Sequence, residues 1–224
     1  MLLALDRIHV PPGQRVVLRD VSWPEFEEIL VDLGEHRAAR MAYEDGSLEI
    51  MTPLPEHESN KEIIGDLVKT LLEELEIEFW PLGSTTFKKA QGKGLEKGLE
   101  PDQCFYIEHE AQVRGKKRID LATEPPPDLA IEIDITARTH PEARTHPEIY
   151  AALQVPELWR FERGQLQINV LRGGEYRVVS ESPHFPGLDL CAVIPLYLAQ
   201  SKVQGRNATL RQFRQWVREQ SNDL

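Results

Sequence analysis

The chain has 224 residues, 41% apolar and 28% charged, an ordinary globular composition with length for a substantial core. No apolar run approaches the roughly 20 residues of a membrane span, and the N-terminus carries no signal-type block, so a cytoplasmic location is expected. The formal net charge of -11 excludes nucleic-acid binding through a globally basic surface.

Ser22 and Glu25 make a capping box, so a short helix is predicted over 23–33 with Gly34 as its stop. Residues 38–51 alternate across Asp45-Gly46, a hairpin signal. Ser59 and Glu62 form a second capping box, and Ile63, Ile64, Leu67, Val68, Leu71, Leu72 and Leu75 follow at helical spacing, which predicts an amphipathic helix over 60–77. Strands are predicted at 78–80 and 84–89. The glycine-rich stretch 91–101 does not fit a phosphate loop and reads as a mobile loop over the site. A strand over 102–107 and a polar loop over 114–118 follow. Three prolines, 125–127, then rigidify the approach to a strand ending at Asp134.

Residues 138–142, Arg-Thr-His-Pro-Glu, recur at 144–148, a tandem duplication. A helix is predicted over 147–153, a strand meander at 157–162, 165–171 and 176–180, and a last helix over 210–220 capped by Thr209. Helices and strands alternate without a linker, which reads as one α/β domain with a central mixed sheet flanked by helices. Cys104 and Cys191 match no zinc spacing and are expected to be buried, inert thiols. Trp80, Trp159 and Tyr150 could stack on bases, but their strand and helix settings favour core packing.

The chemistry concentrates in the strand Asp128-Leu129-Ala130-Ile131-Glu132-Ile133-Asp134. Strand alternation points Glu132 and Asp134 to one face, and the proline-anchored Asp102 lies on another strand. Carboxylates on a hydrophobic scaffold need a partner, a proton or a cation. As hard oxygen ligands the three suit Mg2+ or Mn2+; the other reading is that they end strands and face solvent. Any contact with DNA then needs a local basic patch. Arg114-Gly115-Lys116-Lys117-Arg118 is one candidate, Lys88 and Lys89 with Lys93 and Lys97 another, and solvated loop charge is the plain alternative for both.

Three segments together resemble the Uma2 (DUF820) family, restriction-endonuclease-like nucleases of the PD-(D/E)XK superfamily. They are Glu100-Pro101-Asp102 with the strand after it, Pro126-Pro127-Asp128 through Glu132 and Asp134, and Ile149-Tyr150 through Pro156-Glu157-Leu158-Trp159. The resemblance spans roughly 20–200. It implies a restriction-endonuclease-like domain over 1–224: an N-terminal helix and hairpin (1–55), a nuclease-like core (56–165), and C-terminal strands and helix (166–224). It also implies a Mg2+- or Mn2+-dependent DNA endonuclease, with a homodimer expected for cutting two strands.

In that pattern Asp102 supplies the motif aspartate and Glu132 the second carboxylate. His57 or Glu58 matches the acid or histidine of the first core helix. Asp134 stands where the superfamily motif has a lysine, and His146, with Arg144 beside it, stands where many relatives carry one. His146 and Lys88 are therefore the candidates to assist the attacking water. A catalytically inactive descendant, kept as a binding or interaction module, and hydrolysis of a different phosphate ester are the rival readings.

Overall fold

The computed structural model describes residues 9–34, 39–83, 85–90, 96–134 and 147–221. Its elements in order are β1 (Arg15–Leu18), α1 (Trp23–Leu33), β2 (Arg40–Glu44), β3 (Ser47–Met51), α2 (Pro55–Glu74), β4 (Trp80–Pro81), β5 (Phe87–Ala90), β6 (Glu96–Leu99) and β7 (Gln103–Tyr106), followed by α3 (Glu110–Val113), β8 (Leu129–Asp134), α4 (Pro147–Ala152), β9 (Glu157–Glu162), β10 (Gln165–Arg172), β11 (Glu175–Val179), α5 (Leu190–Gln204) and α6 (Arg206–Ser221). They form a five-stranded sheet, ordered β1-β3-β2-β6-β5, and a six-stranded sheet, ordered β11-β10-β9-β8-β7-β4. The first is antiparallel throughout. In the second, β8 and β9 run parallel and the other neighbours antiparallel. A parallel pair requires a crossover, and α4 lies on the stretch that provides it.

The local chemistry explains most of these elements. Ser22 and Glu25 form both halves of the capping box that opens α1. Asp45 and Gly46 take positive φ values of 43° and 95°, as a two-residue hairpin turn demands. Along β8, Leu129, Ile131 and Ile133 face a core built with α2, α5 and α6. Ala130 packs in a second core, on the other face, with α4, Phe87 and Leu99. Glu132 and Asp134 keep the parity of Ala130, so they point into the space between the sheets.

Several predicted elements move. α2 starts at Pro55, five residues before the expected 60, with Leu54 as a cap that makes no side-chain bond. Pro at the first helical position has its φ preset and lacks an N–H that would go unbonded there, so the helix opens without Ser59. Ser59 and Glu62 sit inside it. Of the expected loop 91–101, residues 91–95 lie outside the described ones and Glu96–Leu99 form strand β6. Gly98 is there for close approach rather than flexibility, since a Cβ would come within 2.9 Å of Phe26 Cε1. α6 begins at Arg206 rather than 210. Helix α5 was not expected from the sequence. It is apolar on most sides, holds Pro195, and is capped by Asp189, whose carboxylate accepts from the Ala192 N–H at 3.2 Å. The thiols of Cys104 and Cys191 are unpaired, and burial pushes both pKa values up. No described helix is long and apolar enough to cross a membrane.

Candidate active site

A cleft between the two sheets is lined by Arg15, Arg40, His57, Asp102, Glu132, Asp134 and Tyr150, among others. Each chemical group comes from a different element. Asp102 precedes β7, Glu132 and Asp134 close β8, His57 and Glu58 lie in the first turn of α2, and Tyr150 lies on α4. Because α2 begins at Pro55, His57 points inward rather than standing at a frayed helix start; it is 3% exposed.

Asp102 is 1% exposed and held by three groups. One oxygen accepts from the Ile133 N–H at 2.7 Å and lies 3.2 Å from His57 Nε2. The other accepts from the Arg40 guanidinium. The second ring nitrogen of His57, Nδ1, lies 3.3 Å from Glu58. Burial works against the His57 imidazolium, but the hydrogen bond and charge of Asp102 outweigh it, and its pKa lies above the ordinary histidine value. When protonated, His57 donates to Asp102 through one nitrogen and to Glu58 through the other, which orients both carboxylates. Burial also works against the Glu58 carboxylate. Lys61, at 2.8 Å, and Arg40, at 3.2 Å, outweigh it and hold its pKa low.

Glu132 is the most perturbed acid. Burial of its carboxyl, together with the charge of Asp102, pushes its pKa to about 8, against a smaller opposing pull from the hydrogen bond donated by the Tyr150 hydroxyl and from Arg40. A stability prediction follows. The folded protein binds a proton that the unfolded chain, at the ordinary value of 4.5, has released, so stability falls as pH rises from about 4.5 through 8. In chelator, Glu132→Gln removes that cost and gains on the order of a few kcal/mol over wild type above pH 8. Urea melts at pH 5 and pH 9 check this; a gap between the proteins that does not widen with pH contradicts it.

The donor chemistry fits a hard divalent cation, since buried carboxylates that repel one another are relieved by one. Among the described residues no three His, Cys, Asp or Glu side chains already surround a single ion position, so an ion held here would need the acids to rearrange. Asp102, Glu132, Asp134 and His57 line the cleft, with Glu58 bonded to His57 at its edge. Lys88 does not join them: it pairs with Glu27 on α1. His146 and Arg144, with the duplicated segment as far as residue 146, lie outside the described residues, as does Lys93. Lys97 is taken by Glu44 and Asp45, at 2.7 and 2.5 Å. Arg114 and Lys116 pair with Glu110 and Glu124, on the β7–β8 connection at the end of the strands away from Asp102. The cations in the cleft are instead Arg40 and Arg15, the latter 3.0 Å from Glu49. Nothing in the sequence marks either arginine, because only the tertiary fold brings β1 and β2, which carry them, to the acids. Tyr150 is buried, as core packing requires, and its hydroxyl also reaches Glu132.

Comparisons with known proteins bear on the fold and the family. Among curated proteins none matches the sequence. A crystal structure of a putative nuclease belonging to DUF820 from Anabaena variabilis ATCC 29413 is similar in fold, with 16% identity and a TM-score of 0.50 over 84% of this chain and 97% of that one. The model of the Uma2 family, described as "Putative restriction endonuclease", matches residues 23–201. With most of its length matched by that family model, the chain belongs to the Uma2 family, which its motif residues resemble.

Proposed function

We propose that this protein is a metal-dependent DNA endonuclease that hydrolyses a phosphodiester bond in the cleft between its two sheets. The observation that carries the reading is the convergence of buried Asp102 with Glu132, whose carboxyl keeps its proton to about pH 8 in the absence of a cation. A site that holds two acids at this cost gains most when a divalent cation binds.

Asp102 and Glu132 would hold Mg2+ or Mn2+, with Asp134 as the third oxygen donor. When bound, the ion would supply activation of water and balance for the phosphate's developing negative charge. The protein's own groups do the positioning. The Ile133 N–H and His57 fix the direction of Asp102, Tyr150 fixes Glu132, and Lys61 holds Glu58 against His57. Arg15 and Arg40 give the cleft the guanidinium groups that a phosphodiester requires. The overall step adds the oxygen of water to phosphorus, breaks one phosphorus–oxygen ester bond, and delivers the proton to the leaving sugar oxygen.

Incubation of supercoiled plasmid with the protein tests the reading. Nicked or linear product in Mn2+ or Mg2+, abolished by chelator, is expected. Intact plasmid alongside measurable metal binding would instead make the protein a binding module that keeps the site without the reaction.

A further inference from the structure

Arg40 opens β2 in the five-stranded sheet, yet its side chain ends among the acids of the other sheet and of α2. One terminal nitrogen donates to Asp102 and the other to Glu58 at 3.2 Å, and the side chain is only 12% exposed. The remaining oxygen of Asp102 is taken by the Ile133 N–H and His57. Three lone pairs of Asp102 thus face protein donors, and the fourth is on the oxygen that Arg40 holds, so a cation that approaches there meets the guanidinium charge. The Ile133 amide is fixed in a strand, and His57 is packed in the first turn of a twenty-residue helix. Arg40 sits on a long side chain at the cleft wall and is the donor able to move.

We propose that Arg40 is an internal cation that occupies the charge position of the metal: it holds Asp102 and Glu58 together while the site is empty, is displaced from Asp102 when the ion binds, and then faces the phosphate. This rests on the metal site proposed above. A guanidinium stays charged at every working pH, so it leaves by competition, not by losing a proton. Its planar fork, freed from Asp102, matches two phosphate oxygens in the same cleft as Arg15. The arrangement makes metal and arginine alternatives at one carboxylate, which sets a threshold of metal concentration below which the site stays closed.

The test is calorimetric titration of the intact chain with Mn2+ alone, in wild type, Arg40→Gln, Arg40→Lys and, as control, Asp102→Asn. Arg40→Gln is expected to bind Mn2+ about tenfold more tightly than wild type, the size of removing one charge-assisted competing contact. Arg40→Lys, which keeps the charge but cannot bridge two carboxylates, falls between them. Asp102→Asn loses the binding. A purely structural Arg40 gives equal or weaker binding in a folded Arg40→Gln, and that result overturns the proposal. If neither wild type nor Arg40→Gln binds Mn2+ through Asp102, the metal site itself fails and the proposal falls with it. Should Arg40→Gln not fold, a Mn2+-bound crystal structure of wild type decides. Arg40 turned away from Asp102 supports the proposal, and Arg40 still bonded to it overturns it.

Discussion

Glu132→Gln is expected to abolish metal-dependent plasmid nicking, by about 10³-fold or more, while leaving the fold intact. The magnitude follows from the several kcal/mol of charge stabilisation that a correctly held metal supplies, at about 1.4 kcal/mol per decade of rate. The fold should tolerate the change because glutamine keeps an oxygen that can accept from the Tyr150 hydroxyl. Its neutral amide also removes the repulsion that Asp102 exerts on the carboxylate. Activity and metal-free stability should therefore move in opposite directions, as they do where a site is built at the expense of the fold. Asp102→Asn is a harsher test. An asparagine amide would meet donors from Arg40, Ile133 or His57, so lost stability accompanies lost activity. Near wild-type nicking by Glu132→Gln would remove Glu132 from the reaction.

The second large effect lies at the other end of the parallel strands. Glu157 begins β9 and is 1% exposed. One of its oxygens accepts from Trp159 Nε1 and the other lies against His184 Nδ1, both at 2.5 Å. Phe185, next in sequence, packs edge-on against Trp159 with centroids 5.9 Å apart, so His184 and Phe185 together clasp the segment before α5 to the sheet. His184→Ala leaves a buried carboxylate without its cation and is expected to cost about 3–5 kcal/mol. Denaturant unfolding checks this, and a cost under about 1 kcal/mol, typical of an exposed pair, would show that the clasp does not hold.

The pH dependence has a definite sign. Burial disfavours the His184 imidazolium, but the hydrogen bond and charge of Glu157, aided by Asp128 and Glu108, raise its pKa above the ordinary 6.5. The stabilisation is complete below about 6.5 and fades as pH rises through the folded value. The deficit of His184→Ala against wild type should thus be largest in mild acid and shrink in alkali.

What could be read from the sequence divides along a physical line. Ser22 with Glu25 and Asp45 with Gly46 carry their structure in bonds between near neighbours, and both elements stand where the residues place them. Asp102, Glu132 and Asp134 were legible as a group because alternation in β8 and a proline-anchored turn need only local geometry. Trp159 was legible as packing, and it is wholly buried. Legibility fails where the fold decides. Pro55 opens α2 more strongly than the Ser59 capping pattern, and this carries His57 inward. Gly98 reads as a loop residue until Phe26 of α1 is laid over it. The nearly continuous apolar character of α5, broken by Pro195, hides its helical period. Arg40 lies 62 positions before Asp102 with nothing to mark it, and its bond to that acid is visible only in the folded chain. A guanidinium stands beside the acids there, while Lys88 pairs with Glu27 of α1.

The most direct measurement is calorimetric titration of the chelator-treated protein with Mn2+, in wild type and in the variant that combines Asp102→Ala with Glu132→Ala. One Mn2+ bound per chain in wild type and none in a folded double variant is the predicted result. Equal binding by both proteins would contradict the carboxylate metal site, and with it the proposed metal-dependent cleavage.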